Sequence, residues 1–389
     1  MLKTIRDLKD LKGKRVLLRA DFNLPLDKDG DILDENRLTA ELPTIAYLIK
    51  QGARVVICSH LGRPKGYDKY LSLFPVAVSL MKHFPNKVKF CDKTIGPEAE
   101  LAANNLKDGE ILLLENTRFD PREKANDREF AESLAKLADI FVDDAFATAH
   151  RTHASNYGVA MKLPSAIGFL IEKEINVFDK ALSNPQRPFV AIFGGAKVED
   201  KLGMIANVID KADVILIGGA MAYTFLLSKG HNVGNSLVAL DRVNDAYQIL
   251  KLAESKGVKI LLPVDHIALN EETGRAVKVT ELGQNLSGRD IGPKTVKLFC
   301  QEIAKSGQVI WNGPLGEYEN PKFKKGTIKI AKAIASAHAD TIVGGGDSVS
   351  AVKVAGVEDK ISYLSTGGGA SLMLLEGKPL PALEVIDKK

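Results

Sequence analysis

Short apolar runs rich in β-branched residues alternate with longer stretches of helical period from one end of the chain to the other, and that alternation restricts the fold to the α/β class. In the first half the runs are Arg15–Arg19 (RVLLR), Arg54–Cys58 (RVVIC), Ile111–Leu114 (ILLL) and Ile140–Val142 (IFV). In the second half they are Phe189–Phe193 (FVAIF), Asp213–Ile217 (DVILI), Lys259–Pro263 (KILLP), Gln308–Trp311 (QVIW), Asp340–Val343 (DTIV) and Ile361–Leu364 (ISYL). Runs that are apolar throughout suit strands covered on both faces, as in a parallel sheet. Between them lie helix candidates such as Asn36–Gln51, where Leu38, Leu42, Ile45, Leu48 and Ile49 share one face. A chain of 389 residues exceeds the usual size of one hydrophobic core, so two domains are expected, each with one wound sheet. The stretch Leu163–Leu182, ahead of SNPQRP, is the expected junction, a single helix that joins the lobes and acts as a hinge.

In open α/β sheets, ligands bind beyond the carboxyl ends of the strands. The two halves present different residues there. After the first-half strands come Asp21 and Asn23, then His60 and Arg63, then Asn116 and Arg118, then His150, Arg151 and His153. After the second-half strands come Gly194–Gly195, Gly218–Gly219, Asn312–Gly313, Gly344–Gly346 and Gly367–Gly369. Cationic side chains presented from several strands can surround a compact ligand carrying carboxylate and phosphate groups, and Arg binds both in bidentate fashion. Glycine turns leading into helices bring backbone N–H groups close to a ligand, which suits nucleotide phosphates. A small anion therefore fits the first half and a nucleotide the second.

Taken singly, each signal has a bland counterpart, because glycine after a strand is often only a tight turn and a lone Arg or His at a strand end is often a solvated residue. Their sorting by half of the chain is what carries weight. Arg37 opens a helix, where a cation opposes the helix dipole, and this points to an anionic ligand. Lys197 and Lys201 stand four apart in GGAKVEDK, the spacing of one helical face, and a phosphate between them would turn repulsion into attraction. Asp347 in GGGDS could cap a helix. It is also the one acid in the glycine turns, and so the candidate to hold magnesium on nucleotide phosphates.

Several function classes are set aside. A net charge of +4 gives no reason to expect a nucleic-acid partner. Cys58, Cys91 and Cys300 follow no metal-ligand spacing and suit a reduced cytoplasmic protein. No apolar run approaches the roughly 20 residues of a membrane span. Neither Gly13–Lys14 nor Gly377–Lys378 is followed by Ser or Thr, so the common P-loop is missing, and so are the dinucleotide fingerprint and the protein-kinase motif set.

The segments RADFNLP (Arg19–Pro25), SHLGRP (Ser59–Pro64), LLENTRF (Leu113–Phe119), TAHRTH (Thr148–His153), GGAKVEDK (Gly194–Lys201), WNGPLG (Trp311–Gly316), GGGDS (Gly344–Ser348) and STGGGAS (Ser365–Ser371) together resemble the phosphoglycerate kinase family, in that family's order and across nearly the whole chain. Ala20, Leu24, Thr117 and the pair Glu317–Tyr318 depart from the residues usual there.

The resemblance implies two doubly wound parallel-sheet (Rossmann-like) domains joined by a hinge helix, with a cleft between them. It implies a triose-phosphate-binding domain at 1–170, with 376–389 packing back on it, and a nucleotide-binding domain at 171–375. The implied reaction is reversible transfer of the acyl phosphate of 1,3-bisphosphoglycerate to Mg-ADP, giving 3-phosphoglycerate and ATP, by a cytoplasmic monomer. Asp21, Asn23, Arg37, His60, Arg63, Arg118 and Arg151 would bind the triose. Lys197, Lys201, Gly218, Gly219, Asn312, Glu319, Gly345, Gly346, Asp347 and Ser348 would bind ATP or ADP, with Asp347 on Mg2+ and Glu319 on the ribose. Arg37, Lys197 and Gly368 would act on the transferring group. Another carboxylate kinase, or a nucleotide sensor without turnover, would share the same strand-end pattern and differ in its acceptor or in lacking catalysis.

Overall fold

The computed structural model describes residues 1–28 and 30–389. It divides into two compact units, Met1–Asn176 with Pro379–Lys389, and Val177–Lys378. The division falls between Asn176 and Val177, six residues further along the helix Phe169–Ser183 than the expected 170/171.

The first unit holds six parallel strands, β1 (Arg15–Arg19), β2 (Arg54–Cys58), β3 (Val88–Cys91), β4 (Ile111–Leu114), β5 (Ile140–Asp143) and β6 (Ser165–Ile167), in the order β3-β4-β2-β1-β5-β6. The sequence runs predict the four inner strands, β4, β2, β1 and β5. The two at the edges, β3 and β6, are not among the expected runs. An edge strand has one neighbour and less apolar cover, and Val88–Cys91 is accordingly half-exposed along most of its length. The last residues of the chain pair with this unit, through Lys3 N–H to Asp387 O (2.8 Å), Ala382 N–H to Ala149 O (3.1 Å) and Asp387 N–H to Ser165 Oγ (3.0 Å).

The second unit holds β7 (Phe189–Phe193), β8 (Val214–Ile217), β9 (Lys259–Leu261), β10 (His266–Asn270), β11 (Arg275–Val279), β12 (Leu286–Ile291), β13 (Gln308–Asn312), β14 (Asp340–Gly344) and β15 (Tyr363–Leu364). Six of these form a parallel sheet in the order β15-β14-β13-β7-β8-β9, the doubly wound order with its reversal between β7 and β13. Alternate residues feed opposite cores. Ala191, Phe193, Ile215 and Ile217 enter one apolar cluster, while Val190, Ile192, Leu216, Val309 and Trp311 enter another. Both faces are covered, which is why these strands read as unbroken apolar runs.

One wound sheet per half is an incomplete expectation. Between β9 and β13 the chain builds a separate antiparallel sheet, β11-β10-β12. Its signal in the sequence is weaker: HIALN and RAVKV flank the four-residue EETG turn, in which Gly274 has φ +65°. Most of β11 is exposed or half-exposed, so it shows no long apolar run.

Candidate functional site

In the first unit, the carboxyl ends of β1, β2 and β4 and the start of the helix Asn36–Lys50 bring Asp21, Asn23, Arg37 and Arg118 into one hydrogen-bonded group, while Arg63 and Arg151 are exposed. Asp21, almost fully buried after β1, accepts a hydrogen bond from Arg37 Nη1, and Arg37 is the second residue of the helix Asn36–Lys50. Asn23 Oδ1 accepts from Gly62 N–H (2.8 Å), and Arg118 Nη1 donates to Gly62 O (2.8 Å). The loop after β2, which carries His60 and the exposed Arg63, is thereby tied to the loops after β1 and β4. Asn116 closes the same loop by donating to Leu61 O and Leu71 O (2.8 and 2.9 Å).

One cation in this group lies outside the sequence expectations. Arg19, the last residue of β1, is fully buried, with Nε donating to Ser155 Oγ (2.8 Å) and Nη2 3.0 Å from His60 Nδ1. Ser155 Oγ in turn donates to Glu123 Oε1 (2.6 Å). The only trace of this in the sequence is a charged residue ending an otherwise apolar run.

The electrostatic consequences show how closely these groups gather. Burial, followed by the charges of Arg19, Arg118 and Arg37, holds His60 well below the usual imidazole range. Burial and the neighbouring guanidinium groups bring His153 to about 4, and burial with Arg151 brings His150 to about 4. Arg118 is lowered to about 10, first by burial and then by Arg19, yet remains a cation at neutral pH. Arg118 Nε is buried without a partner among the described residues. The positive charge of this site therefore comes from arginine, and its histidines are neutral.

In the second unit the glycine turns behave differently from the sequence expectation. Their N–H groups after β7, β8 and β13 are already used: Gly194 to Asn312 O (2.9 Å), Gly195 to Pro314 O (2.7 Å), Gly218 to Phe193 O (2.9 Å), Gly219 to Leu315 O (3.1 Å) and Gly313 to Ser348 Oγ (2.6 Å). These glycines permit close packing of loops. A Cβ on Gly219, at φ +65°, would sit 2.6 Å from Gly195 N and 2.7 Å from Pro314 O. Main-chain donors for an anion remain at the start of the helix Gly346–Ala355, whose first N–H groups have no intrahelical acceptor. Gly345 holds the cap position and no side chain caps this helix, so Asp347 lies in its first turn and is not the cap.

Two cavities open among these loops. One, of about 430 Å³, is lined by residues that include Lys197, Lys201, Asn312, Gly345, Gly346, Asp347, Ser348 and Gly368. The other, of about 470 Å³, is lined by Gly219, Arg289, Glu317, Tyr318, Glu319 and Asp347, among others. Gly195, Ala196, Pro314 and Asp347 line both. Gly218 lines neither and packs against Leu315. The helix after β7 begins at Glu199, so Lys197 precedes it and the shared helical face expected of Lys197 and Lys201 does not form. The loop nevertheless brings both lysines to one cavity. Burial lowers Lys201 to about 8, against the opposing pull of Asp200 and Asp347. Asn312 Nδ2 donates to Gly344 O (2.7 Å), and its Oδ1 is buried without a partner among the described residues. Arg289, which donates to Glu317, is a cavity residue that the sequence does not announce, because it lies inside the antiparallel strand β12, whose sequence LSGRDI has no apolar run.

A phosphoglycerate kinase family profile matches residues 5–378. The phosphoglycerate kinase of Chloroflexus aggregans is 53% identical over 395 residues, covering 99% of this chain and 98% of that one. The phosphoglycerate kinase of Finegoldia magna is 50% identical, covering 100% and 99%. The chain belongs to the phosphoglycerate kinase family. It is a phosphotransferase of glycolysis. Among solved structures, phosphoglycerate kinase from Coxiella burnetii superposes with a TM-score of 0.87 at 39% identity, covering 99% of this chain and 98% of that one. The enzyme from Pyrococcus horikoshii gives 0.84 at 34%, with the same coverage. Two parallel-sheet α/β units are thus the phosphoglycerate kinase fold. The match to the family model ends at 378, where the chain returns to the first unit.

Proposed function

We propose that the arginine group of the first unit binds 3-phosphoglycerate or 1,3-bisphosphoglycerate, and that the paired cavities of the second bind Mg-ADP or Mg-ATP. The observation that supports this is the separation of chemistry between the units. Arg37, Arg118 and Arg151 act on one another's surroundings around neutral histidines in the first, while Lys197, Lys201, Asp347 and Gly368 line one cavity in the second. Arg63 and His60, with Asn23 and Asp21, complete the triose contacts.

The two cavities suit the two ends of a nucleotide. The lysine-lined one takes phosphates, with Lys201 and the start of the helix Gly346–Ala355 as donors and Asn312 holding the turn after β14 through Gly344 O. The other, with Gly219, Glu317, Tyr318 and Glu319, takes ribose and base. Among the described residues no group of three or more His, Cys, Asp or Glu side chains is placed to hold a metal ion. The exposed carboxylate of Asp347, common to both cavities, fits a hard cation that takes its remaining oxygen ligands from phosphates and water. Magnesium bound there would neutralise charge on the nucleotide phosphates.

The acceptor in the ATP-consuming direction is a carboxylate, with a pKa of roughly 3–4, so it is ionised at neutral pH without a general base. The chain's residues then position the reactants and stabilise charge on the moving phosphoryl group, a role we assign to Arg37, Lys197 and the backbone at Gly368. In-line transfer requires the two ligands to meet with water excluded, so we infer that loading both drives the units together, with bending near Leu163–Ile175. Scattering that shows no compaction with both ligands would contradict this. Among the described residues no helix is long and apolar enough to cross a membrane. Membership of a family of glycolytic enzymes suits the cytoplasm, where we infer that the chain acts as a monomer. Formation of ATP from 1,3-bisphosphoglycerate and ADP, with Lys197→Ala as control, tests the assignment.

A further inference from the structure

Beneath the arginine group lies a polar chain that the reaction as described does not use. Asp21, which holds Arg37, has its own backbone N–H held by Glu41 Oε1 (2.8 Å). Glu41 is one helical turn after Arg37 and fully buried. Its other oxygen, Oε2, has no donor among the described residues, and the Glu41 side chain neighbours the carboxyl group of Asp144, also fully buried. Asp144 Oδ2 accepts from Thr44 Oγ1, and Oδ1 accepts from Ile171 N–H (3.0 Å). Thr44 Oγ1 accepts from Phe169 N–H (3.0 Å). The first N–H groups of the helix Phe169–Ser183, which carries the chain from one unit into the other, thus rest on Asp144 and Thr44. Gly168 is obligatory here, because a Cβ would lie 2.2 Å from Asp144 Cγ.

Two buried carboxylates in contact cannot both stay ionised, since each charge has lost its water and repels the other. We propose that Glu41 and Asp144 share one proton, Glu41 Oε2–H donating to the Asp144 carboxylate, and that this bond is a positioning link between Asp21–Arg37 and the start of the connecting helix. The inference rests on the assignment of Arg37 and Asp21 to the triose site. The proton completes the set: Glu41 then accepts from Asp21 and donates to Asp144, and Asp144 accepts from Glu41, Thr44 and Ile171. Burial, with the charges of Asp144, Asp21 and Asp143, raises Glu41, and burial raises Asp144 to about 6 and Asp143 to about 7. Arg19 is the cation that offsets Asp143.

Substitution separates a shared proton from simple packing. Gln at position 41 keeps an acceptor for Asp21 and a donor for Asp144, whereas Leu keeps only the volume. Glu41→Leu should lower kcat/KM for 3-phosphoglycerate about tenfold, the effect of one lost buried hydrogen bond, with KM for ATP unchanged. Glu41→Gln should restore it. Difference infrared spectra at pH 7 of wild type against Glu41→Gln should show the C=O stretch of a protonated carboxylic acid lost in the variant. A flat difference spectrum overturns the shared proton whatever the activity shows, so it stands apart from failure of the triose assignment. Full activity in a Glu41→Leu protein whose ATP binding is intact overturns the positioning role.

Discussion

Lys201 offers a quantitative handle on the nucleotide site, because it stands lowered to about 8 from an ordinary 10.5, chiefly by burial. That displacement means its charged form is about 3 kcal/mol less favourable than in water. A phosphate placed against it would supply the missing counter-charge and return it to a full cation. The sign follows from linkage. With the bound pKa above the free one, the contribution of Lys201 to affinity is complete below pH 8 and fades as pH rises from 8 toward the bound value. At pH 8 the free enzyme should therefore take up about 0.5 proton on binding Mg-ADP, and between pH 7 and 9 the affinity should fall about tenfold, or ~1.4 kcal/mol. Calorimetric titration of Mg-ADP at pH 8, in buffers of contrasting ionisation enthalpy, reads the uptake directly. Lys201→Arg keeps a permanent cation and should abolish it. Heats that do not depend on the buffer in the wild type would mean that the phosphates lie elsewhere, and the assignment of this cavity would fall.

Further outcomes follow from the same geometry. Lys197→Ala should lower kcat by about 10²–10³ with little change in either KM, because the lysine is assigned to the moving group. Gly219→Ala should lower the melting temperature, at a cost of about 1–3 kcal/mol, by forcing a Cβ into Gly195 and Pro314 at positive φ. Gly346→Ala, where a Cβ would find open space, should melt like the wild type. Chelation of magnesium should stop turnover, and Asp347→Asn should raise the magnesium concentration needed for half-maximal rate.

The sequence made the inner strands legible because β1, β2, β4, β7, β8, β13 and β14 are covered on both faces, so nothing polar interrupts them. Edge strand β3 and the sheet β11-β10-β12 were hidden because one face or one edge meets water and their apolar positions are few, whereas β6 is buried but only three residues long. Strand-end residues were legible for the same reason as the strands: a wound sheet places whatever follows each strand on one side. Their roles were less so. The glycines after β7, β8 and β13 looked like phosphate donors, yet the loops approach closely enough to consume those N–H groups. Only a three-dimensional arrangement shows that Gly194 meets Gly313 or that Gly219 meets Gly195. Arg19 and Glu41 were illegible because a charged residue inside a regular element reads as solvent-facing until its buried partners, Ser155 and Asp144, are known.

The protonation pattern places the enzyme's pH sensitivity unevenly. His60, His150 and His153 are already neutral well above the acid range, because burial and adjacent guanidinium groups oppose a second positive charge. Between pH 5 and 9 the arginines keep their charge and these histidines do not acquire one, so the grip on an anionic triose has little to titrate within its first contacts. Lys201 lies in the opposite situation, an amine lowered by burial into the upper part of that window. The two units should therefore respond differently to alkali. KM for the nucleotide should rise above pH 8 while the direct contacts to 3-phosphoglycerate hold, and any alkaline loss on the triose side must enter through the buried carboxyls beneath Asp21, where removal of a proton leaves Glu41 and Asp144 to repel each other. That difference identifies the source of an alkaline limb: Lys201→Arg removes a nucleotide-side limb, and Glu41→Gln removes a triose-side one.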